Sequence, residues 1–358
     1  MVIDTIHQVV STLSPGDAVG SHTLAVRDVL RAADLQSEVF SDDVDPALAG
    51  AARPLDALPP PGTPGLAVLY QCSIGNEVVD RLLARPEPLL VDYHNVTPVA
   101  QLLRWAPDMA HLAGWGRGQL GDLASRAVLG IGDSSFNAAD LTAAGFDRVA
   151  VVPILLKVAG LRHDQPRPVA ERRGRRWLFV GRLVPNKAQH DIVLALAWYR
   201  AVHDPDAELH LVGRDAAPAY TAALRDLVAD LGLQRAVHLM GGVDDARLAQ
   251  EYGEADVFVC LSDHEGFCIP VLEAMANDLP VVAFASSALP ETVGSGGLLL
   301  PGKDPATVAG AVHRLATDDS LRAAMVERGT ARVATFDRSR TSPLLLAALR
   351  SVLDLTPA

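Results

Sequence analysis

Short apolar runs alternate with amphipathic stretches along almost the whole chain. In the first half IDTIHQVV (3–10), SEVF (37–40), LAVLYQ (66–71), PLLVDYH (88–94), RAVLGIGD (126–133) and RVAVVP (148–153) read as strands. Helical patterning separates several of them, as in HTLAVRDVLRAADL (22–35) and NEVVDRLLAR (76–85). The second half repeats the pattern with strands RRWLFVG (175–181), AELHLVG (207–213), AVHLMG (236–241), DVFVCLS (256–262), LPVVAFA (279–285) and GGLLL (296–300). Its helices include YTAALRDLVADLGL (220–233), DARLAQEYGEA (245–255) and IPVLEAMAND (269–278). Alternation of this kind predicts parallel α/β sheets. Residues 158–176 interrupt it: they lack apolar periodicity and concentrate Pro, Gly and Arg, as a linker does. The expected organisation is therefore an N-terminal Rossmann-like domain over 1–155, a linker over 156–176 and a second Rossmann-like domain over 177–335. A terminal helix over 336–358 is expected to return to the first domain.

The stretch 256–285 carries the clearest chemistry. A strand ends near Leu261, a polar loop follows, and a helix starts at about Pro270, where proline suits the first turn. In such sheets ligands bind at the carboxyl ends of strands, where helix N-termini attract anions. Glu265, Gly266, Phe267 and Cys268 fall there, and Gly266 allows close approach to the backbone. Glu273 lies within a helix whose neighbours Ile269, Val271, Leu272, Ala274, Met275 and Ala276 are all apolar. A carboxylate in such surroundings needs a partner, and a ribose diol would supply one.

In GRLVPNK (181–187) a strand runs into Gly181 and Arg182, and Lys187 is expected to open a helix. A cation at a helix N-terminus is unfavourable unless an anion joins it. Arg182 and Lys187 could thus converge on one diphosphate, the arginine as a fork and the lysine as a point charge. Lysine is rare here, at positions 157, 187 and 303 alone, which makes Lys187 less easily a casual surface cation.

These two stretches resemble the retaining family-4 glycosyltransferases. Glu265 and Glu273 in EGFCIPVLE match that family's E-x7-E motif, and Arg182 with Lys187 match its phosphate-binding pair. The resemblance continues through LHLVGRD (209–215), which contains Gly213, and through 238–259 and 288–309; it is strong over 177–310 and looser in the N-terminal half. It implies the GT-B fold, two Rossmann-like domains whose parallel sheets face a central cleft. It also implies transfer of a hexose-type sugar from a nucleoside diphosphate to an acceptor hydroxyl with the anomeric configuration kept. In that scheme Arg182, Lys187 and amides near Gly266 stabilise the departing diphosphate, Glu265 holds sugar hydroxyls and Glu273 the ribose. SPGDAVGSH (14–22) looks like the family's glycine loop, with Gly16 and Gly20 toward the donor diphosphate and Asp17 toward a sugar. VDYHNVTP (91–98) ends a strand at His94, where related enzymes place a histidine beside the transferred sugar, and Asn95 joins it on the acceptor side.

Composition narrows the reading further. The net charge of −12 opposes nucleic-acid binding. Three cysteines without a CxxC pair argue against a disulfide framework or a cysteine-rich zinc site. Asp43-Val44-Asp45 is formally D-x-D but precedes Pro46 as an acidic turn, and no H-x3-H spacing occurs. No metal and no cofactor beyond the nucleotide sugar are therefore expected. GIGDSS (130–135) lacks the third glycine of a dinucleotide fingerprint. Cys268 reads as a space-filler beside Phe267 rather than a nucleophile.

No apolar run reaches the ~18 residues of a membrane span, and the N-terminus lacks a signal-peptide pattern. A cytoplasmic protein is expected, a monomer or homodimer. Trp105 and Trp115 are open to core packing, sugar stacking or membrane contact, and the Arg172–Arg176 cluster to a solvated linker or an anionic lipid surface. A glycan or lipid-linked acceptor is expected, and the likeness of HEGFC to mannosyltransferase-type sequences favours GDP-mannose over UDP-sugars. The alternatives are a GT-B sugar-nucleotide epimerase and a non-catalytic sugar-nucleotide-binding subunit.

Overall fold

The computed structural model describes residues 2–162 and 174–355. Most of the expected linker, including Arg172 and Arg173, lies outside the described residues. In chain order the first half runs β1 (Thr5–Val10), α1 (Ala18–Ala32), β2 (Val39–Phe40), β3 (Leu66–Cys72), α2 (Val78–Leu83), β4 (Leu89–Tyr93), α3 (Val99–Leu102), α4 (Pro107–Ala124), β5 (Ala127–Gly132), α5 (Ser135–Ala143) and β6 (Val149–Val151). The second runs β7 (Arg176–Val180), α6 (Gln189–Val202), β8 (Glu208–Val212), α7 (Pro218–Asp230), β9 (Val237–Gly241), α8 (Asp245–Glu254), β10 (Val257–Cys260), α9 (Ile269–Ala276), β11 (Val281–Phe284), α10 (Leu289–Val293) and β12 (Leu298–Leu300). Then α11 (Pro305–Thr317), α12 (Asp319–Ala334) and α13 (Arg338–Arg350) close the chain.

Two compact units result. One comprises 1–98, 111–156 and 336–358, the other 99–110 and 157–335. Each holds one six-stranded sheet, ordered β2-β1-β3-β4-β5-β6 and β12-β11-β10-β7-β8-β9, and every pair within them is parallel. Parallel sheets need both faces covered, and β3 and β4 are accordingly buried at every position.

In the first unit Ile6, Leu69, Leu90 and Ile131 pack with Val26 and Leu30 of α1 and with Leu345 and Leu349 of α13. That helix belongs to this core, and the Arg338 amide donates to the Leu156 carbonyl. Residues 99–110 belong to the second unit because Trp105, Ala106 and Met109 pack on Val184, Ala217 and Tyr220. Core packing thus accounts for Trp105, whereas Trp115 is partly exposed.

In both sheets the order of addition reverses once. The second sheet grows from β7 through β8 to β9 and then resumes at β10 on the other side of β7; the first reverses between β1 and β3. The carboxyl ends of strands at such a reversal leave a crevice between diverging loops.

Candidate functional site

At the reversal of the second sheet, β7 leads into 181–188 and β10 into 261–268. Several bonds stitch these loops together. The Asp263 amide donates to the Asn186 carbonyl (2.8 Å) and Asn186 Nδ2 to the His264 carbonyl (3.2 Å). The loop after β11 and the helix α10 that follows support the other side: Ser287 Oγ accepts from the Glu265 amide (2.8 Å), and Thr292 Oγ1 donates to the Phe267 carbonyl (2.6 Å). Lys303 Nζ bonds Asp263 (2.6 Å) and Asp191 (2.5 Å), tying the loop to α6. The loop is preformed by its own unit.

Lys187 does not open a helix. It ends a 3-10 turn at Pro185–Lys187, and Ala188 takes a left-handed φ of 50° before α6 starts at Gln189. The lysine thereby leaves the helix axis, and Nζ forms an ion pair with the buried Glu265 carboxylate. The cation thus already has an anionic partner within the protein. Arg182 is exposed and its carbonyl accepts from Gln189 Nε2 (2.9 Å). Lys187 and Glu265 are brought together, while Arg182 stays at the rim.

Backbone geometry confines the neighbouring strand ends. Gly213 has φ +151°, and a Cβ there would stand 1.9 Å from the Gly181 carbonyl oxygen, so only glycine fits. Cys268 adopts φ 78° at the start of α9 and gives that helix no side-chain cap. Its Sγ stands 4.0 Å from Cys260 Sγ. The bond to Cys260 together with burial holds the Cys268 thiol well above its usual value, which disfavours the nucleophilic thiolate.

Glu273 has a partner that sequence reasoning did not see. Tyr252 Oη of α8 donates to Glu273 Oε2 at 2.7 Å. Burial raises the Glu273 carboxyl, and the tyrosine bond only partly offsets this. A ribose diol is therefore not required to satisfy it.

The first unit holds a second polar assembly, at the carboxyl ends of β1, β3, β4 and β5. His94 Nδ1 lies 2.9 Å from Asp133 Oδ2, and Nε2 lies 2.6 Å from Gln71 Oε1. The polarity of this chain follows from its end. The Thr23 carbonyl can only accept, so Gln8 donates to it through Nε2 (3.0 Å), and Gln71 Nε2 donates to Gln8 Oε1 (2.9 Å). Gln71 therefore presents its oxygen to His94. With a carboxylate on Nδ1 and an amide oxygen on Nε2, both ring nitrogens carry protons. Burial alone would depress the imidazolium, but the charges of Asp133 and Asp92 outweigh it and push His94 up to about 9. For Asp133 itself burial outweighs the pull of His94, and the carboxyl rises. His94 is thus a held cation with both ring nitrogens bonded.

Beside it, His22 Nδ1 accepts from the Leu155 amide (3.0 Å), so its proton sits on Nε2 and goes to Asp92 Oδ2 at 2.9 Å. Asp17 accepts the Gly20 amide as the N-cap of α1 (3.1 Å), which removes that amide from any anion, and Gly20 is buried. Gly16 remains exposed with φ +69°. Asn95, at φ 74°, donates Nδ2 to Asn137 Oδ1 (2.9 Å). Sequence reading missed Asp92, Asp133, Gln8, Gln71, His22 and Tyr252. The signal for several of them was a polar residue inside an otherwise apolar parallel strand.

Three groups of described residues bring possible metal donors within 4.8 Å of one another: His22–Asp92–His94, Glu208–His210–His238 and Cys260–Glu265–Cys268. The first offers no lone pair from His22 Nε2, and in the third Lys187 already occupies Glu265. Among the described residues no helix is long and apolar enough to cross a membrane.

Comparison with known proteins adds the following. Residues 164–332 match the family model described as glycosyl transferases group 1. Curated relatives include the D-inositol 3-phosphate glycosyltransferases of Acidothermus cellulolyticus and Frankia alni. The former is 34% identical over 60% of this chain and 50% of its own length. The latter is 32% identical over 64% and 60%. The chain spans about half the length of the curated relatives it matches. Among solved structures, Anabaena HepE in complex with UDP-glucose aligns with TM-score 0.76 at 18% identity, over 97% of this chain and 99% of that one. Sucrose-phosphate synthase from Thermosynechococcus elongatus aligns with TM-score 0.72 at 21% identity, over 97% and 98%. At these identities the structural likeness establishes the fold, the GT-B architecture of two α/β sheets.

Proposed function

We propose that the chain is a retaining glycosyltransferase using a nucleoside-diphosphate sugar, on the premise of the match of residues 164–332 to the glycosyl transferases group 1 model. The observation that carries this reading is the Lys187–Glu265 pair at the strand-order reversal of the second sheet, beside the uncapped start of α9. A lysine ammonium at that position suits a diphosphate, and a carboxylate suits the hydroxyls of the attached sugar. The anion would draw Lys187 away from Glu265 and free the carboxylate for sugar hydroxyls. Glu273, held by Tyr252, would accept from the ribose.

In the transfer the anomeric carbon–oxygen bond to the diphosphate breaks. The acceptor oxygen bonds to the same face, and its proton passes to the departing diphosphate oxygen. Lys187 and Arg182 stabilise the charge that develops there, without a metal. The resemblance of HEGFC to mannosyltransferase-type sequences favours GDP-mannose as donor. The acceptor is a hydroxyl of a glycan, a lipid-linked glycan or, by analogy with the curated relatives, a phosphorylated polyol.

A thermal-shift panel of UDP- and GDP-sugars tests the donor class. A ligand at about 100 times its dissociation constant adds roughly 2.7 kcal/mol to stability. Product analysis with the best donor then tests transfer. Failure of every nucleoside diphosphate and its sugars to bind would refute the reading.

A further inference from the structure

At the amino ends of the second sheet, away from the loops just described, β8 and β9 place three donors on one face. Glu208 and His210 are two residues apart on β8, and His238 of β9 is in direct register with His210. Their donor atoms lie within 4.8 Å of one another. We propose that Glu208, His210 and His238 bind one divalent transition-metal ion of the zinc type, which ties edge strand β9 to β8.

The surrounding bonds set up this donor set. Glu251 of α8, fully buried, accepts from His210 Nδ1 at 2.6 Å and is itself held by Arg247 at 2.5 Å. His210 Nδ1 therefore carries a proton and Nε2 is the coordinating atom, the carboxylate–imidazole arrangement that orients metal-bound histidines. Glu208 Oε2 stands 3.8 Å from His210 Nε2 and 3.8 Å from Arg176 Nη2, within hydrogen-bonding distance of neither.

Donors around a tetrahedral zinc are roughly 3.4 Å apart, given metal–donor bonds of about 2.0–2.2 Å, so small side-chain adjustments suffice. Arg176 is the opposing charge; its other nitrogen pairs with Glu254, which holds it to one side. Two histidines and one carboxylate, without sulfur, suit zinc or cobalt better than magnesium or calcium. The ligands come from neighbouring strands, which is why no sequence spacing reveals them.

The test uses the full chain stripped by chelator and titrated with Zn²⁺ against a competing chromophoric chelator. One equivalent should bind, raise the thermal midpoint and compete with Co²⁺, whereas Mg²⁺ should do neither. His238→Ala, on the partly exposed edge strand, should abolish the stoichiometric site, and Glu251→Gln should weaken it about 10- to 100-fold. Cys268→Ser should leave it unchanged. Absence of a stoichiometric equivalent in the wild-type chain would overturn the proposal. So would binding untouched by His238→Ala, or a sulfur-to-cobalt charge-transfer band lost in Cys268→Ser. None of these readouts depends on the sugar-transfer reading.

Discussion

Removing the negative charge beside His94 should convert a held cation into an ordinary buried imidazole. In the wild-type chain the ring is raised from 6.5 to about 9. A shift of that size corresponds to ~3 kcal/mol of differential stabilisation of the protonated ring. Because the folded value is the higher one, this contribution is fully present below pH 6.5 and disappears as pH rises through about 9. Asp133→Asn keeps the shape but removes the closest charge, 2.9 Å away. The loss of one adjacent opposite charge should lower the His94 value by about 1–3 units. Histidine-selective NMR on ring-labelled protein reads this directly: at about pH 8.5 the wild-type ring should still be mostly doubly protonated and the variant ring mostly neutral. Urea denaturation gives the energetic counterpart: the difference between the two proteins should be large at pH 6 and shrink by pH 9.5. Comparing the two proteins cancels other groups that titrate in that window. Titration of wild-type His94 at or below 6.5, or no response to Asp133→Asn, would refute the polarity assigned to the Thr23–Gln8–Gln71–His94 chain.

Lys187→Ala and Arg182→Ala should each lower turnover by about two orders of magnitude while the fold survives, as circular dichroism would show. Near-normal transfer by both would remove the diphosphate role. Glu273→Gln should weaken binding of the preferred free nucleoside diphosphate roughly ten- to a hundredfold, as lost charge-assisted bonds of about 1.5–3 kcal/mol require. Tyr252→Phe should have a smaller effect in the same direction, and unchanged calorimetric affinity in Glu273→Gln would end the ribose assignment. Chelator treatment should leave sugar transfer intact at temperatures well below melting; activity that returns only with Mg²⁺ or Mn²⁺ would contradict the metal-free scheme. Gly213→Ala should destabilise the second unit by about 1–3 kcal/mol, because its Cβ would meet the Gly181 carbonyl. An unshifted melting curve would show that this backbone contact relaxes without penalty.

The sequence by itself determined the two parallel sheets, since alternating apolar runs and amphipathic helices are local patterns with fixed periods. It also placed Glu265 and Gly266 in a loop between a strand end and a helix start, because those elements follow one another within a few residues. It could not say what those residues touch. Lys187 and Glu265 are 78 positions apart and meet only because β10 lies beside β7. The partners of His94 show the same limit: Gln71, Asp92 and Asp133 sit on different strands that become neighbours through the sheet order. Tyr252 reaches Glu273 from another helix, and Asp17 turned out to cap α1. Periodicity is a property of nearby residues and survives in the linear chain. Protonation and pairing are set by distance and burial, which exist only once the strands have taken their places.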